Sequence, residues 1–131
     1  MTAGYVADIK KAAKENDRFR NVVFTGAKSQ LVLMSLRPGE DIGMEVHDGD
    51  QVVYVVAGEG VALLDDARNE IEKGSIVFVP AGVRHNIVNT NGDSMKLFTI
   101  YAPPQHSAVV AQRKQDGEEA AFAELEEVLA E

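Results

Sequence analysis

Short apolar and β-branched runs, separated by turn residues, fill the chain from about residue 19 to residue 104. Glycine, proline, asparagine and aspartate stand between the runs at regular intervals. This alternation is typical of an all-β sandwich or barrel. The predicted strands are Phe19–Phe24, Gln30–Leu36, Gln51–Ala57, Val61–Leu64, Glu70–Glu72, Ser75–Val79, His85–Asn89 and Lys96–Tyr101.

Helical periodicity appears at the two ends of the chain. Residues 7–16 carry apolar side chains three and four apart, which predicts a short helix over an open end of the fold. In residues 116–131, Phe122, Leu125 and Leu129 repeat that spacing, and glutamates fill the opposite face. We therefore expect an all-β domain with a short helix near each terminus.

Composition and charge narrow the class of protein. The chain has 131 residues and no cysteine, which predicts a single domain over residues 1–131 without disulfides or thiolate ligands. The net charge is -8, and residues 116–131 hold seven acidic residues and no basic one. The chain has no basic cluster to bind nucleic acid, and no apolar run long enough to span a membrane or act as a signal peptide. These features favour a cytoplasmic protein that binds neither nucleic acid nor membranes.

Candidate metal ligands are concentrated in residues 39–58. Glu45 and His47 are two apart, so on a strand their side chains point to the same face. The three residues after His47 would form a hairpin loop that places Gln51 directly opposite it. The spacing predicts that Glu45, His47 and Gln51 converge from two adjacent strands. If the sheet curls, His85 reaches the same face.

The arrangement of these residues resembles that of the cupins, whose two sequence motifs both occur here. The first motif matches Gly39, Glu45, His47, Gln51 and Gly58. The second motif matches Gly74, Pro80, Gly82, His85 and Asn89. The chain departs from the usual residue at two of these positions, where Glu45 replaces a histidine and Gln51 replaces a glutamate.

The resemblance implies a double-stranded β-helix, or jelly roll, that holds a divalent metal ion. Its ligands would be Glu45, His47, Gln51 and His85, in place of the family's usual three histidines and one glutamate. A carboxylate, an amide oxygen and two imidazoles suit Zn²⁺, Mn²⁺, Fe²⁺, Co²⁺ or Ni²⁺. The implied function is a metal-dependent enzyme acting on a small metabolite, either an isomerase similar to mannose-6-phosphate isomerases or a dioxygenase. A non-catalytic cupin that binds or senses a sugar or another small molecule is the alternative.

Several roles around the site stay open at this point. Glu45 would be a costly buried charge unless a metal or a base neutralised it. Gln51 could hydrogen-bond Glu45 or a water molecule instead of a metal. Tyr101 is expected to be a packing or surface residue and His106 a surface residue. The sequence identifies no catalytic residue.

The strand that carries Gln51 is apolar on its outer side as well. Val52, Tyr54 and Val56 would point away from the core and need cover. In cupins a second subunit usually covers this face, so the resemblance implies a homodimer. Cover by the N-terminal segment is the alternative.

Overall fold

Two antiparallel sheets face each other in the computed structural model, which describes residues 3–106. The predicted helix at residues 116–131 lies outside the described residues. The elements are α1 (Ile9–Glu15), β1 (Arg20–Thr25), β2 (Gln30–Leu36), β3 (Asp50–Ala57), β4 (Glu59–Leu64), β5 (Ala67–Glu72), β6 (Ile76–Val79), β7 (His85–Asn89) and β8 (Met95–Ala102).

One sheet has the strand order β1-β2-β8-β3-β6 and the other β5-β4-β7. Every strand predicted from the sequence is present, and the architecture is the expected all-β jelly roll. One cluster of buried apolar side chains takes members from both sheets, so the sheets are packed face to face.

The core fills the space between the sheets with side chains that alternate along each strand. Its fully buried members include Met34, Val53 and Leu97 from the five-stranded sheet and Ala62 and Ile87 from the other. Burying each larger aliphatic side chain contributes roughly 1.5–3 kcal/mol. These contacts, summed over the barrel, offset the cost of burying several polar side chains.

Helix α1 lies on the outer face of the five-stranded sheet and not over an open end as predicted. Its N-cap Asp8 accepts a hydrogen bond from the Lys11 backbone N–H at 3.2 Å. Ala13 is fully buried against Leu33 and Val56, which point outward from the sheet. This explains why β2 is apolar on both faces. Within residues 3–106, no helix is long and apolar enough to cross a membrane.

The helix leaves one line of outer apolar side chains half-buried or exposed. Phe24, Leu31, Ile100, Val52 and Phe78 are successive cross-strand partners over all five strands of the sheet. We call these five residues the outer apolar row. Phe78, on the edge strand β6, is 56% exposed. The N-terminal segment packs against Val56 and Tyr54, and it contacts the row at Phe24, whose ring centroid lies 6.1 Å from that of Tyr5.

Candidate metal centre

The predicted hairpin between Glu45 and Gln51 is wrong, because residues 42–49 form no strand with β3. Glu45 instead makes an isolated antiparallel bridge to His85. The two residues exchange backbone hydrogen bonds, each N–H donating to the other's carbonyl oxygen at 2.9 Å. Further bonds from Gly39 and Ile42 join this connection to the free edge of β7. The segment therefore forms its backbone hydrogen bonds with the edge of β7 and not with β3.

Three buried donors nevertheless meet at one point. One ligand atom from each of Glu45, His47 and His85 lies within 4.8 Å of the other two. The residues are 7%, 3% and 2% exposed, respectively. The rings of His47 and His85 lie 5.1 Å apart between centroids. The structure thus brings together three of the four predicted ligands from two different segments of the chain.

The turn of the second motif helps to position His47. Gly82 has a φ of +84°, a conformation that other residues rarely adopt. Its N–H donates a hydrogen bond to the His47 carbonyl oxygen at 2.8 Å. The turn that begins at Pro80 precedes His85 in the chain and is hydrogen-bonded to the backbone of His47. It therefore positions both histidines.

Hydrogen bonds orient the two remaining donors. The Nδ1 atom of His85 lies 2.9 Å from the Val83 carbonyl oxygen, which makes Nδ1 the protonated nitrogen and leaves the Nε2 lone pair available. Burial lowers the pKa of His85, so the ring is held in the neutral form that a metal needs. The side chain of Gln51 donates through Nε2 to Thr99 Oγ1 at 2.9 Å.

Two of these acceptor atoms lack a bond inside the barrel. His85 Nε2 and Gln51 Oε1 are buried and have no hydrogen-bond partner among residues 3–106. Gln51 does not bond to Glu45, which was the alternative suggested by the sequence. Its cross-strand partner is Tyr101, whose ring meets His47 edge-on at 5.5 Å. The amide therefore borders the three-donor group with its oxygen unpaired.

Glu45 has a basic partner that the sequence analysis missed. Arg20, the first residue of β1, is 1% exposed, and its Nη2 lies 3.8 Å from Glu45 Oε2. The other carboxylate oxygen lies 3.2 Å from His47 Nε2. Glu45 is therefore not an isolated buried charge without a metal. The only signal in the sequence was an arginine at the start of an otherwise apolar run.

His106 is buried, which contradicts its assignment as a surface residue. The side chain of Gln30 holds it there, accepting from the His106 N–H at 3.0 Å and donating to its carbonyl oxygen. The imidazole packs against the ring of Tyr101 at 4.7 Å. Burial, followed by the charges of Arg20 and His47, lowers the pKa of His106 to about 2. Burial likewise raises the pKa of Tyr101, so both groups are uncharged at neutral pH.

Comparison with known proteins places this chain in a family. Residues 32–101 match the family Cupin_2, described as the cupin domain, and these residues include all the candidate ligands. The chain is a member of the cupin family. The resemblance seen in the two motifs is thereby confirmed.

Three known proteins are similar to this chain over about half of its length or more. YrkC of Bacillus subtilis, an uncharacterised protein, is 38% identical to this cupin over 109 residues, which are 78% of this chain and 59% of YrkC. The structure of BH2720 from Bacillus halodurans superposes with a TM-score of 0.81 at 35% identity, covering 83% of this chain and 88% of that one. A protein of Thermotoga maritima named oxalate-binding protein is 29% identical over 68 residues, 51% of this chain and 56% of its own.

The donor set of this cupin fits a divalent transition metal. Two neutral imidazoles and a carboxylate are ligands that such ions share, and the unpaired acceptors at His85 and Gln51 would gain a partner. Net charge also favours binding, because Glu45 would offset one of the two positive charges of the ion. These side chains therefore form a suitable set of metal ligands without the histidine that Glu45 replaces.

The buried neutral imidazole of His106 predicts a pH-dependent stability. Its pKa is depressed in the folded protein from the ordinary 6.5, so below that pH the unfolded chain takes up a proton that the folded chain does not. Acid therefore destabilises the fold. Between about pH 7.5 and about pH 5.5, His106 lowers the free energy of unfolding by at most ~1.4 kcal/mol.

Denaturant unfolding of the metal-free protein at both pH values, for wild type and His106→Leu, measures this effect. All other ionisable groups are common to both proteins, so the comparison isolates the change at residue 106. We expect the free energy of unfolding of the variant to rise relative to wild type as the pH falls. An equal pH dependence in the two proteins would contradict the burial of a neutral His106.

Proposed function

We propose that this cupin binds one divalent transition-metal ion through Glu45, His47 and His85, with the amide oxygen of Gln51 as a fourth ligand. The observation that carries the proposal is the meeting of three buried donor atoms within 4.8 Å. The orientation of His85 supports it, because its proton is held on Nδ1 by Val83. The hydrogen bond from Gln51 to Thr99 supports the fourth ligand by fixing which end of the amide is left unpaired.

We further propose that the site acts on a small metabolite as a metal-dependent enzyme. A bound ion with two open positions would polarise a carbonyl or hydroxyl group of the substrate. The ring of Tyr101 lies beside His47, and its uncharged hydroxyl would donate a hydrogen bond to the substrate. Burial of the ligands keeps the site apart from bulk water. Sugar-phosphate isomerisation and dioxygen-dependent oxidation are the two reaction classes that we consider.

A non-catalytic binding role is the second candidate. It is favoured by the relative named oxalate-binding protein, which is 29% identical over about half of this chain. It is also favoured by the absence of a second buried carboxylate near the site in residues 3–106 that could serve as a base while Glu45 holds the metal. The two candidates share the same metal centre and differ in whether the bound molecule is converted.

Metal content tests the shared part of both candidates. The full chain, loaded with Co²⁺ or Zn²⁺ and freed of excess metal, should retain about one ion per chain by elemental analysis. His85→Ala removes a directly bonded ligand, and loss of a mere supporting group already weakens metal binding by about 10–100-fold. We expect this variant to retain less than about a tenth of the ion.

Glu70→Gln is the control for the metal measurement. Glu70 is an exposed carboxylate on β5 paired with Arg68, so this change should leave metal content unaltered. Wild type that retains far less than one ion, or His85→Ala that retains as much as wild type, would contradict the proposed site. Oxygen consumption and sugar-phosphate isomerisation by the loaded protein then separate the enzyme from the binding protein, since only an enzyme shows metal-dependent turnover.

We also propose that a second copy of this chain covers the outer apolar row. The row extends over the whole five-stranded sheet, and α1 covers only the neighbouring outer residues. Its most exposed member, Phe78, lies on the edge strand β6, where the backbone also has one unpaired side. Apolar side chains grouped in this way mark protein interfaces more often than isolated ones do.

Light scattering during gel filtration tests the dimer. Wild type should elute at twice the chain mass of 14.2 kDa, and Phe78→Glu should elute as a single chain because it places a charge in the interface. Ala67→Glu, on the exposed strand β5 of the other sheet, is the matched control and should remain dimeric. A wild type of single-chain mass would contradict the proposal.

A further inference from the structure

The turn between β7 and β8 contains the only Asn-Gly pair in the sequence, Asn91-Gly92. The fully buried side chain of Asn89, at the end of β7, holds both ends of this turn. Its amide nitrogen donates to the Asp93 carbonyl oxygen at 2.8 Å, and its Oδ1 accepts from the Asn91 N–H at 2.9 Å. The motif asparagine therefore fixes the backbone at the point where Asn91 meets Gly92.

The side chain of Asn91 folds back onto the next residue. Its Oδ1 lies 2.6 Å from the backbone nitrogen of Gly92. The amide carbonyl group is thus in contact with the nitrogen that follows it in the chain. A bond between that nitrogen and Cγ closes a five-membered ring. Groups held in contact in this way avoid much of the entropy cost of a reaction between separate molecules.

The surroundings of the turn leave room for such a reaction. Gly92 is exposed and Asn91 is half-buried. A β-carbon placed on Gly92 would meet no atom within 4 Å, so the space beside it is open. Asn91 and Asp93 also line a cavity of about 270 Å³, which is large enough to hold water. Water can therefore reach the amide of Asn91.

We propose that Asn91 is a site of spontaneous deamidation and that the β7–β8 turn promotes the reaction. The Gly92 nitrogen gives its proton to solvent and attacks Asn91 Cγ. As the new bond forms, the bond from Cγ to the amide nitrogen breaks, and that nitrogen takes a proton from solvent and leaves as ammonia. Water then opens the cyclic imide at either carbonyl carbon and gives aspartate or isoaspartate. The reaction needs neither the proposed metal site nor the proposed dimer.

The conversion changes the charge of the turn. Either product adds a carboxylate to a cavity whose lining already includes Glu59, Glu72 and Asp93. Lys73, which also lines this cavity, offsets part of that negative charge. The converted chain carries one more negative charge than the original, so anion exchange separates the two forms.

Peptide mass analysis after incubation at mildly alkaline pH tests the proposal on the folded full chain. Trypsin releases residues 85–96 as one peptide, which contains Asn86, Asn89 and Asn91. Fragment masses show which of the three amides has become an acid. Asn86 and Asn89 are internal controls, because both are buried and neither precedes a glycine. A synthetic peptide of residues 85–96, incubated alongside, gives the rate without the fold.

Gly92→Ala is the matched variant. The added methyl group hinders attack by the nitrogen of residue 92. The fold should tolerate this change, because Gly92 has no positive φ and its β-carbon would lie in open space. Anion exchange of the incubated wild type should show a growing acidic form, and the variant should show much less of it.

We expect Asn91 to convert at least about tenfold faster than Asn86 and Asn89, and at least about tenfold faster in wild type than in Gly92→Ala. The rate at Asn91 in the folded chain should equal or exceed the rate in the peptide. A lower rate in the folded chain would overturn the inference, because the turn would then protect the amide. Equal rates at the three asparagines, or an unchanged rate in Gly92→Ala, would also overturn it, since neither result fits attack by the Gly92 nitrogen.

Discussion

The candidate metal centre depends on two backbone hydrogen bonds, those that Glu45 and His85 exchange at 2.9 Å. They attach the connection between β2 and β3 to the edge of β7, and so join the two sequence motifs. Together with the bonds from Gly39 and Ile42 to β7, they fix the backbone on which Glu45 and His47 lie. Because backbone bonds position Glu45, its side chain keeps its oxygens for the interior. The free edge of a three-stranded sheet thus provides both a partner for the loop and the geometry of the site.

The second constraint is electrostatic. The barrel buries a carboxylate, a guanidinium and three imidazoles close to one another, in a setting where unpaired charge is costly. The protein limits that cost by keeping His106 and Tyr101 neutral and by placing Arg20 against Glu45. Even so, the buried acceptors of His85 and Gln51 have no hydrogen-bond partner within residues 3–106. These acceptors are the reason to regard the cluster as a binding site and not as packing.

Much of this was predictable from the sequence because the relevant signals are local. The strands follow from runs of apolar residues, and His47 and His85 follow from motif spacing. The pairing of Glu45 was not predictable, since its surroundings fit a hairpin with β3 as well as a bridge to β7. Arg20 and His106 reach the site only when the barrel closes, through contacts such as that of Gln30 with His106. Both residues lie outside the two motifs, so motif spacing gives no indication that they are near the site.

The central claim is that one ion lies among the side chains of both motifs. Anomalous diffraction from a crystal of the full chain grown with Mn²⁺ tests it most directly. The account predicts a single strong peak, about 2.0–2.3 Å from a Glu45 oxygen, a His47 ring nitrogen, His85 Nε2 and Gln51 Oε1. No peak between these side chains, with Glu45 still held by Arg20 and His47, would contradict it.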